Sequence, residues 1–330
     1  MKRDDDVRAL AELAPAPPER DFPAGRARQR ELHLLHAITT AQRTRSARRI
    51  WLLAGAAVVV VLGLVAATTL FGPTPAAVAA TPKPLSYKQD GRPEDAIGLL
   101  RQIADATDKL PNPVPATDHL KRIGWFLTRN SYSNAVVPEE IESWLNPDGT
   151  GRTVKRSGVP EFPDQAARDR WIADGLSTEA GRPQVTTGPQ FRHWPDRPPT
   201  DPAELARWLQ KDHPPANGAG EVLVAITDLL RERALTPAER AAVLRVLATV
   251  PGLVYQGSTT DRLGRTGRAF ALTNSLRGLP TRHTLIVSQD NGIILGEEQM
   301  LTESSGKLGL PVPSVVGYTV FELADHAAVP

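Results

Sequence analysis

The chain has 330 residues, 39 Lys+Arg against 37 Asp+Glu for a formal charge of +2, and no cysteine. A hydrophobic content of 41% excludes wholesale disorder, and the length admits one large or two ordinary domains. The missing cysteines exclude a disulfide scaffold, a thiolate nucleophile and any thiolate-bound zinc or iron–sulfur centre.

The near-neutral total conceals an asymmetry, because residues 1–49 hold 11 Lys+Arg and 7 Asp+Glu, a net +4. Val7, Leu10 and Leu13 fall on one helical face that Pro15, Pro17 and Pro18 terminate. Leu32, Leu35 and Ile38 mark a second helix between about Gly25 and Arg45. Such short helices are marginal alone in water, so they call for a bilayer surface or a partner. The plainer alternative is an unstructured charged anchor whose only task is topology.

Ile50 to Phe71 reads IWLLAGAAVVVVLGLVAATTLF, 22 residues without a charge. At about 1.5 Å per residue this predicts a helix long enough to cross the hydrocarbon core. Trp51 and Phe71 stand where interfacial aromatics belong, and Arg43, Arg45, Arg48 and Arg49 precede the span. The positive-inside rule therefore predicts residues 1–49 in the cytoplasm and the C-terminal part outside. Ala77, Ala79 and Ala80 would suit a signal peptidase, but the apolar run is too long and too far from the start for an ordinary signal peptide. An uncleaved anchor is the expectation.

Residues 72–92, with Pro73, Pro75, Pro82 and Pro84, read as an extended spacer before an outer domain at 93–330. That domain begins with a helix from Pro93 to about Asp108, with Ile97, Leu100, Ile103 and Ala104 on one face. Leu120–Asn130 reads as a strand, and Glu139–Val159 as a hairpin turning at Asn146–Gly151. A short helix over Asp164–Ala173 follows. A helical insertion at about 198–250 starts twice on matching caps, Asp201-Pro202-Ala203-Glu204 and Thr236-Pro237-Ala238-Glu239, with Glu221–Arg233 between them. From Leu253 the period becomes that of strands, and Asp290-Asn291-Gly292 is the strongest hairpin signal. The expected fold class is α+β: an N-terminal helical arm and one transmembrane helix, then an extracytoplasmic antiparallel β-sheet domain with a helical insertion.

Catalytic patterns are not found. His33, His36, His119, His193, His213, His283 and His326 show no metal-ligand spacing and read as mostly solvated. There is no GxSxG elbow, and the Asp261–Arg268 stretch lacks the phosphate-loop lysine, so it reads as a tight basic turn. Asn146-Pro147-Asp148-Gly149 opens like a calcium loop without its later glutamate, and reads as a turn. Glu139, Glu140 and Glu142 lack the aromatic platforms of a glycosidase. No catalytic residue, cofactor or metal is expected.

Several weak motifs occur in order along the chain: the arm LAELAPAPPERDFPAGRARQREL, the span, and Glu142, Trp144, Pro147, Asp148, Gly149, Gly151 and Arg152. Next come Asp201, Pro202, Glu204 and Leu205, Pro251-Gly252-Leu253, then Asp261, Gly264, Arg265 and Gly267, with Gly292, Leu295 and Gly296 last. In this pattern the chain resembles a family of uncharacterised single-pass membrane proteins of high-GC Gram-positive bacteria, associated with extracytoplasmic-function sigma factors. The resemblance implies an anti-sigma-like regulator, although the usual zinc-binding His-Cys-Cys helix is missing. The outer part resembles LolA- and RseB-type sheets, which hold lipid or peptide. The motif positions Trp144, Asp148, Gly149, Gly151, Arg152, Asp261, Gly264, Arg265 and Gly267 are expected to be structural. The partners implied are the lipid bilayer, a sigma factor at residues 1–49, and a lipid or peptide ligand outside, with no direct nucleic acid. The alternatives are a membrane-tethered lipid- or lipoprotein-handling module without signalling, and an exported enzyme of unrecognised type.

Overall fold

The computed structural model describes residues 81–129, 134–274, 279–306 and 310–326. The chain divides into two units, 1–72 and 73–330. The arm, the expected span at 50–71 and the alanines at 77–80 lie outside the described residues. Among the described residues no helix is long and apolar enough to cross a membrane.

Among the described residues the second unit is α+β. In chain order its elements are β1 (Tyr87–Lys88), α1 (Ala96–Thr107), β2 (Asp118–Arg129), β3 (Asn134–Leu145), β4 (Thr150–Ser157), α2 (Gln165–Ala173) and β5 (Gln184–Pro189). Then follow α3 (Pro202–Leu209), α4 (Gly220–Glu232), α5 (Pro237–Leu247), β6 (Val254–Thr260), β7 (Thr266–Asn274), β8 (Thr281–Val287), β9 (Ile294–Leu301) and β10 (Ser314–His326). All ten strands form one sheet in the order β1-β6-β7-β8-β9-β10-β2-β3-β4-β5, antiparallel throughout.

The helix starts follow their caps. Asp164 accepts from the Ala167 N–H at 2.7 Å and Asp201 from the Glu204 N–H at 2.8 Å. Thr236 and Glu239 close a reciprocal capping box. On α1 the buried face is Ala96, Leu100, Ile103, Ala104 and Thr107, and Ile97 stands exposed, one position off the expected stripe. The hairpin at Asp290-Asn291-Gly292 joins β8 to β9, with Gly292 at φ 65°. Strand β3 begins five residues before the expected hairpin. Strand β5 has no counterpart in the sequence reading, because QVTTGP is short and almost wholly exposed.

One face of β6–β10 carries α1, α3, α4 and α5. Phe270, Leu272, Leu285, Val287, Ile294 and Phe321 pack there against Leu100, Leu205, Ile226 and Leu244. Each such side chain contributes about 1.5–3 kcal/mol when fully buried. The opposite face buries a smaller cluster of Ile286, Leu295, Met300, Val315, Tyr318 and Val320, with Leu85 and Trp125 against it.

Leu85 is the first sign that the spacer is not all spacer. Its N–H donates to Glu298 on β9 at 2.9 Å, and two residues later Tyr87 pairs with Thr259 on the β6 edge. Two extended residues cover about 7 Å, whereas β9 and β6 stand three strand spacings of about 4.8 Å apart in a flat sheet. The sheet therefore coils, and Arg265 in the β6–β7 turn accordingly reaches the Leu295 carbonyl of β9 at 2.9 Å. Expected as free linker up to residue 92, the chain from Thr81 onward is instead a strap lying on the sheet. Pro82 and Pro84 bring no N–H needing a partner, so only a few backbone groups must be matched.

Candidate functional site

The strap crosses the small-core face and makes contacts directed at its backbone. The Arg262 guanidinium donates to the Lys83 carbonyl at 2.7 Å while stacking 4.5 Å from the Tyr318 ring and 5.2 Å from Trp125. The Thr259 hydroxyl donates to the Ser86 carbonyl at 2.7 Å, and Gln89 donates to the Gln256 carbonyl at 3.0 Å. Tyr87 donates weakly to Glu298 at 3.4 Å and lies under the Arg282 guanidinium, 5.6 Å away. Farther along, the Tyr255 hydroxyl donates to Asp90 at 2.5 Å, and Arg268 bridges both groups. Beside the strap runs an open cleft of about 630 Å³, lined by Lys83, Leu85, Tyr87, Ser258, Thr260 and Arg262 among others.

The electrostatics follow from burial. The Tyr255 hydroxyl is pushed up to about 12, first by burial and then by Asp90, whose own carboxyl is held down by the hydrogen bond from Tyr255. Burial lowers the Arg262 guanidinium and raises the Tyr87 and Tyr318 hydroxyls. Burial also raises the Glu298 carboxyl, opposed by the Leu85 N–H and by Arg282. A carboxyl raised on folding leaves the native state holding the extra proton. Stability from this group is therefore greatest when it is protonated, and falls as pH rises from the ordinary glutamate value of about 4.3 through the raised one. Glu298→Gln is expected to remove that fall, so the variant's thermal midpoint gains on wild type as pH rises above the ordinary glutamate value of about 4.3. Parallel midpoint curves would contradict it.

The motif positions occupy two hairpin ends. On β3–β4, Trp144 is sandwiched between His119, stacked at 4.7 Å, and the Arg152 guanidinium at 5.3 Å. Asp148 accepts from the N–H and hydroxyl of Thr150 at 2.8 and 2.7 Å, Gly149 takes φ 84°, and Gly151 lies where a Cβ would strike the Trp144 carbonyl. On β6–β7, Asp261 accepts from the N–H groups of Leu263 and Arg265, both at 2.9 Å, and from the Arg265 side chain at 2.8 Å. Gly264 takes φ 82°, and Gly267 gives way to Ile286 and Leu295. Both are turns, as the sequence suggested, and the second aims Arg262 at the strap.

The histidines correct the sequence reading. His213 is buried, 3.0 Å from Glu221 and 3.6 Å from Asp228, and His193 is raised by its 2.6 Å bond to Glu232. His119 meets Glu142 at 3.0 Å, and His326 lies 3.7 Å from Asp118. Neighbouring carboxylates make burial of these rings tolerable. His33 and His36 lie outside the described residues. Lys155 takes Glu139 at 2.5 Å and Arg156 takes Glu140 at 2.7 Å, so the acidic stretch is spent on cross-strand pairs. Among the described residues no group of three or more His, Asp or Glu is arranged to hold a metal ion.

Sequence reasoning passed over Glu298, Leu85 and Tyr87, and read Arg262 only as part of a tight basic turn. One signal was present: Glu297-Glu298 stand together inside the otherwise apolar strand IILGEEQML, so alternation sends one carboxylate into each face of the sheet. Comparison with family models, with curated proteins and with solved structures returns no match.

Proposed function

We propose that the chain is a signal-anchored single-pass membrane protein whose outer α+β domain is a sensory binding module and whose basic arm at 1–49 is the output, similar in plan to an anti-sigma factor. The N-terminus is cytoplasmic in this reading and the domain extracytoplasmic. The observation that supports it most is the strap: the chain leading from the apolar segment is itself bonded into the sheet beside an open cleft. Occupancy of that cleft bears directly on the tether. The site carries no catalytic assignment: Arg262 and Glu298 hold the backbone of the strap, and Asp90, Arg268 and Tyr255 hold one another.

The lipid-handling alternative receives less support. The helix-covered face is filled by packed side chains, and the apolar void there, lined by Leu230, Leu235, Val243, Ile294 and Phe321, is about 20 Å³, water-sized rather than acyl-sized.

The test is crosslinked copurification of the full-length chain from its native membrane, with partners identified by mass spectrometry. Recovery of a sigma factor crosslinked within residues 1–49 is the expected result. Recovery of envelope proteins or lipid alone would reduce the arm to an anchor and bring the lipid-handling reading forward.

A further inference from the structure

We infer that the groove under the strap is an extended-peptide site closed by the chain's own residues 83–88, and that its external ligand is an extended peptide carrying an apolar side chain two residues before a tyrosine. The inference deepens the sensory reading and rests on it.

The strap is held as a groove holds a ligand. The protein matches its main chain at three points: the Lys83 carbonyl by Arg262, the Leu85 N–H by Glu298, and the Ser86 carbonyl by Thr259. Contacts of this kind accept any sequence that can extend. Within residues 83–88 side-chain choice is confined to two positions, and Pro82 just ahead of them is buried as well. Leu85 and Tyr87 are half-buried and point to the same side, whereas Pro84, Ser86 and Lys88 between and beside them are exposed. Leu85 joins Ile286, Leu295 and Tyr318, and Tyr87 takes its place between Arg282 and Glu298.

The site also exceeds what a permanent strap would use. Strand β1 pairs for two residues only, and an open cleft of about 630 Å³ continues alongside, lined by Ser258, Thr259, Thr260 and Thr266. Among the described residues, the Nε atoms of Arg262 and Arg282 are buried without a hydrogen-bond partner. A short segment with two anchoring side chains opens at low local cost, so an incoming chain competes with it on near-equal terms. Displacing the strap frees the chain that leads towards the apolar segment, which is how binding becomes a signal.

The experiment uses the full chain in detergent micelles and a fluorescein-labelled peptide of residues 81–90 (TPKPLSYKQD), read by fluorescence anisotropy. In the Leu85→Ser/Tyr87→Ser variant the groove is vacated more often. The peptide is expected to bind it at least about tenfold more tightly than wild type, whose own strap competes. Binding should be lost when the peptide carries Leu85→Asp. Failure of the peptide to bind a variant that still melts cooperatively would overturn the inference. If the variant does not fold, hydrogen exchange on wild type decides. The Leu85 amide should exchange at least about tenfold faster than the amides of β9, and exchange only together with β9 would overturn the inference. A concentration-dependent dimer of wild type that the peptide dissolves would assign the groove to a second copy's strap, and would also overturn the external ligand. Peptide binding without a sigma factor on the arm leaves the groove assignment standing and removes only the cytoplasmic output.

Discussion

Asp118→Asn is expected to lower the thermal midpoint of the α+β domain by roughly 6–20 °C, corresponding to about 3–5 kcal/mol at 2–4 °C per kcal/mol. Asp118 is 1% exposed at the first residue of β2 and is ringed by three guanidiniums, Arg197 at 3.2 Å, Arg233 at 3.4 Å and Arg192 at 3.5 Å, with the His326 ring, whose pKa burial lowers, at 3.7 Å. It also accepts the Ala234 N–H at 3.1 Å, just beyond the end of α4. Asparagine can keep that last bond while abandoning the arginines, so the loss reads the charge. Arg197 is best insured, since Glu239 takes it at 2.7 and 2.5 Å. Arg192 is worst placed: its Nε and Nη1 are buried without a partner, and burial together with Arg233 lowers its pKa. The asymmetry gives a second arm to the test. Arg192→Leu should cost under about 1 kcal/mol or stabilise, because it removes the cation the cluster can least use. Thermal melts followed by circular dichroism measure both, and an unchanged midpoint for Asp118→Asn would show the arginines to be solvated.

Glu297→Ala should cost a similar amount, about 3–5 kcal/mol, and should loosen α4 from the sheet. Glu297 leaves β9 on the face opposite Glu298 and accepts from Arg231 at 2.7 Å and from Thr227 at 3.0 Å, both on α4. Arg231 also donates to Asp228 at 2.9 Å, and Arg122 from β2 donates to the Arg231 carbonyl at 3.4 Å. Burial, helped by Arg231, lowers the Arg122 guanidinium to about 10. Without Glu297 two half-buried guanidiniums face each other with Asp228 and Glu139 as the remaining counter-charges. Thr227→Val removes one neutral partner and should cost only about 1 kcal/mol. Hydrogen exchange along α4 separates the outcomes: faster exchange of its amides in Glu297→Ala is expected. Unchanged α4 protection would mean that apolar packing alone holds the helix.

Most of the α+β fold was legible in the sequence because its signals are local. A cap residue, a proline at the first helical position and a glutamate three residues on are read by backbone groups within one turn, and so α3 and α5 begin where expected. Alternation in LIVSQDNGIILGEEQML likewise announces β8 and β9 and the turn between them. The strap was not legible. KPLSYK has the composition of a linker, and its partners Glu298 and Arg262 lie 213 and 179 positions away along the chain, at Leu85 and Lys83 respectively. The histidines failed for the same reason, as shown by His193 meeting Glu232 39 positions on.

By itself, then, the sequence determined an α+β domain, the place of nearly every helix and strand, and the two hairpin turns that hold the glycine motifs. Those follow from propensity, capping and period, which act over a few residues. Tertiary structure alone decided that the sheet coils, that Glu297 and Glu298 serve opposite faces, that Asp118 gathers three arginines, and that the residues after Thr81 close a groove. Each of these depends on which distant groups share a low-dielectric interior, and that is set by the coiling of a ten-stranded sheet.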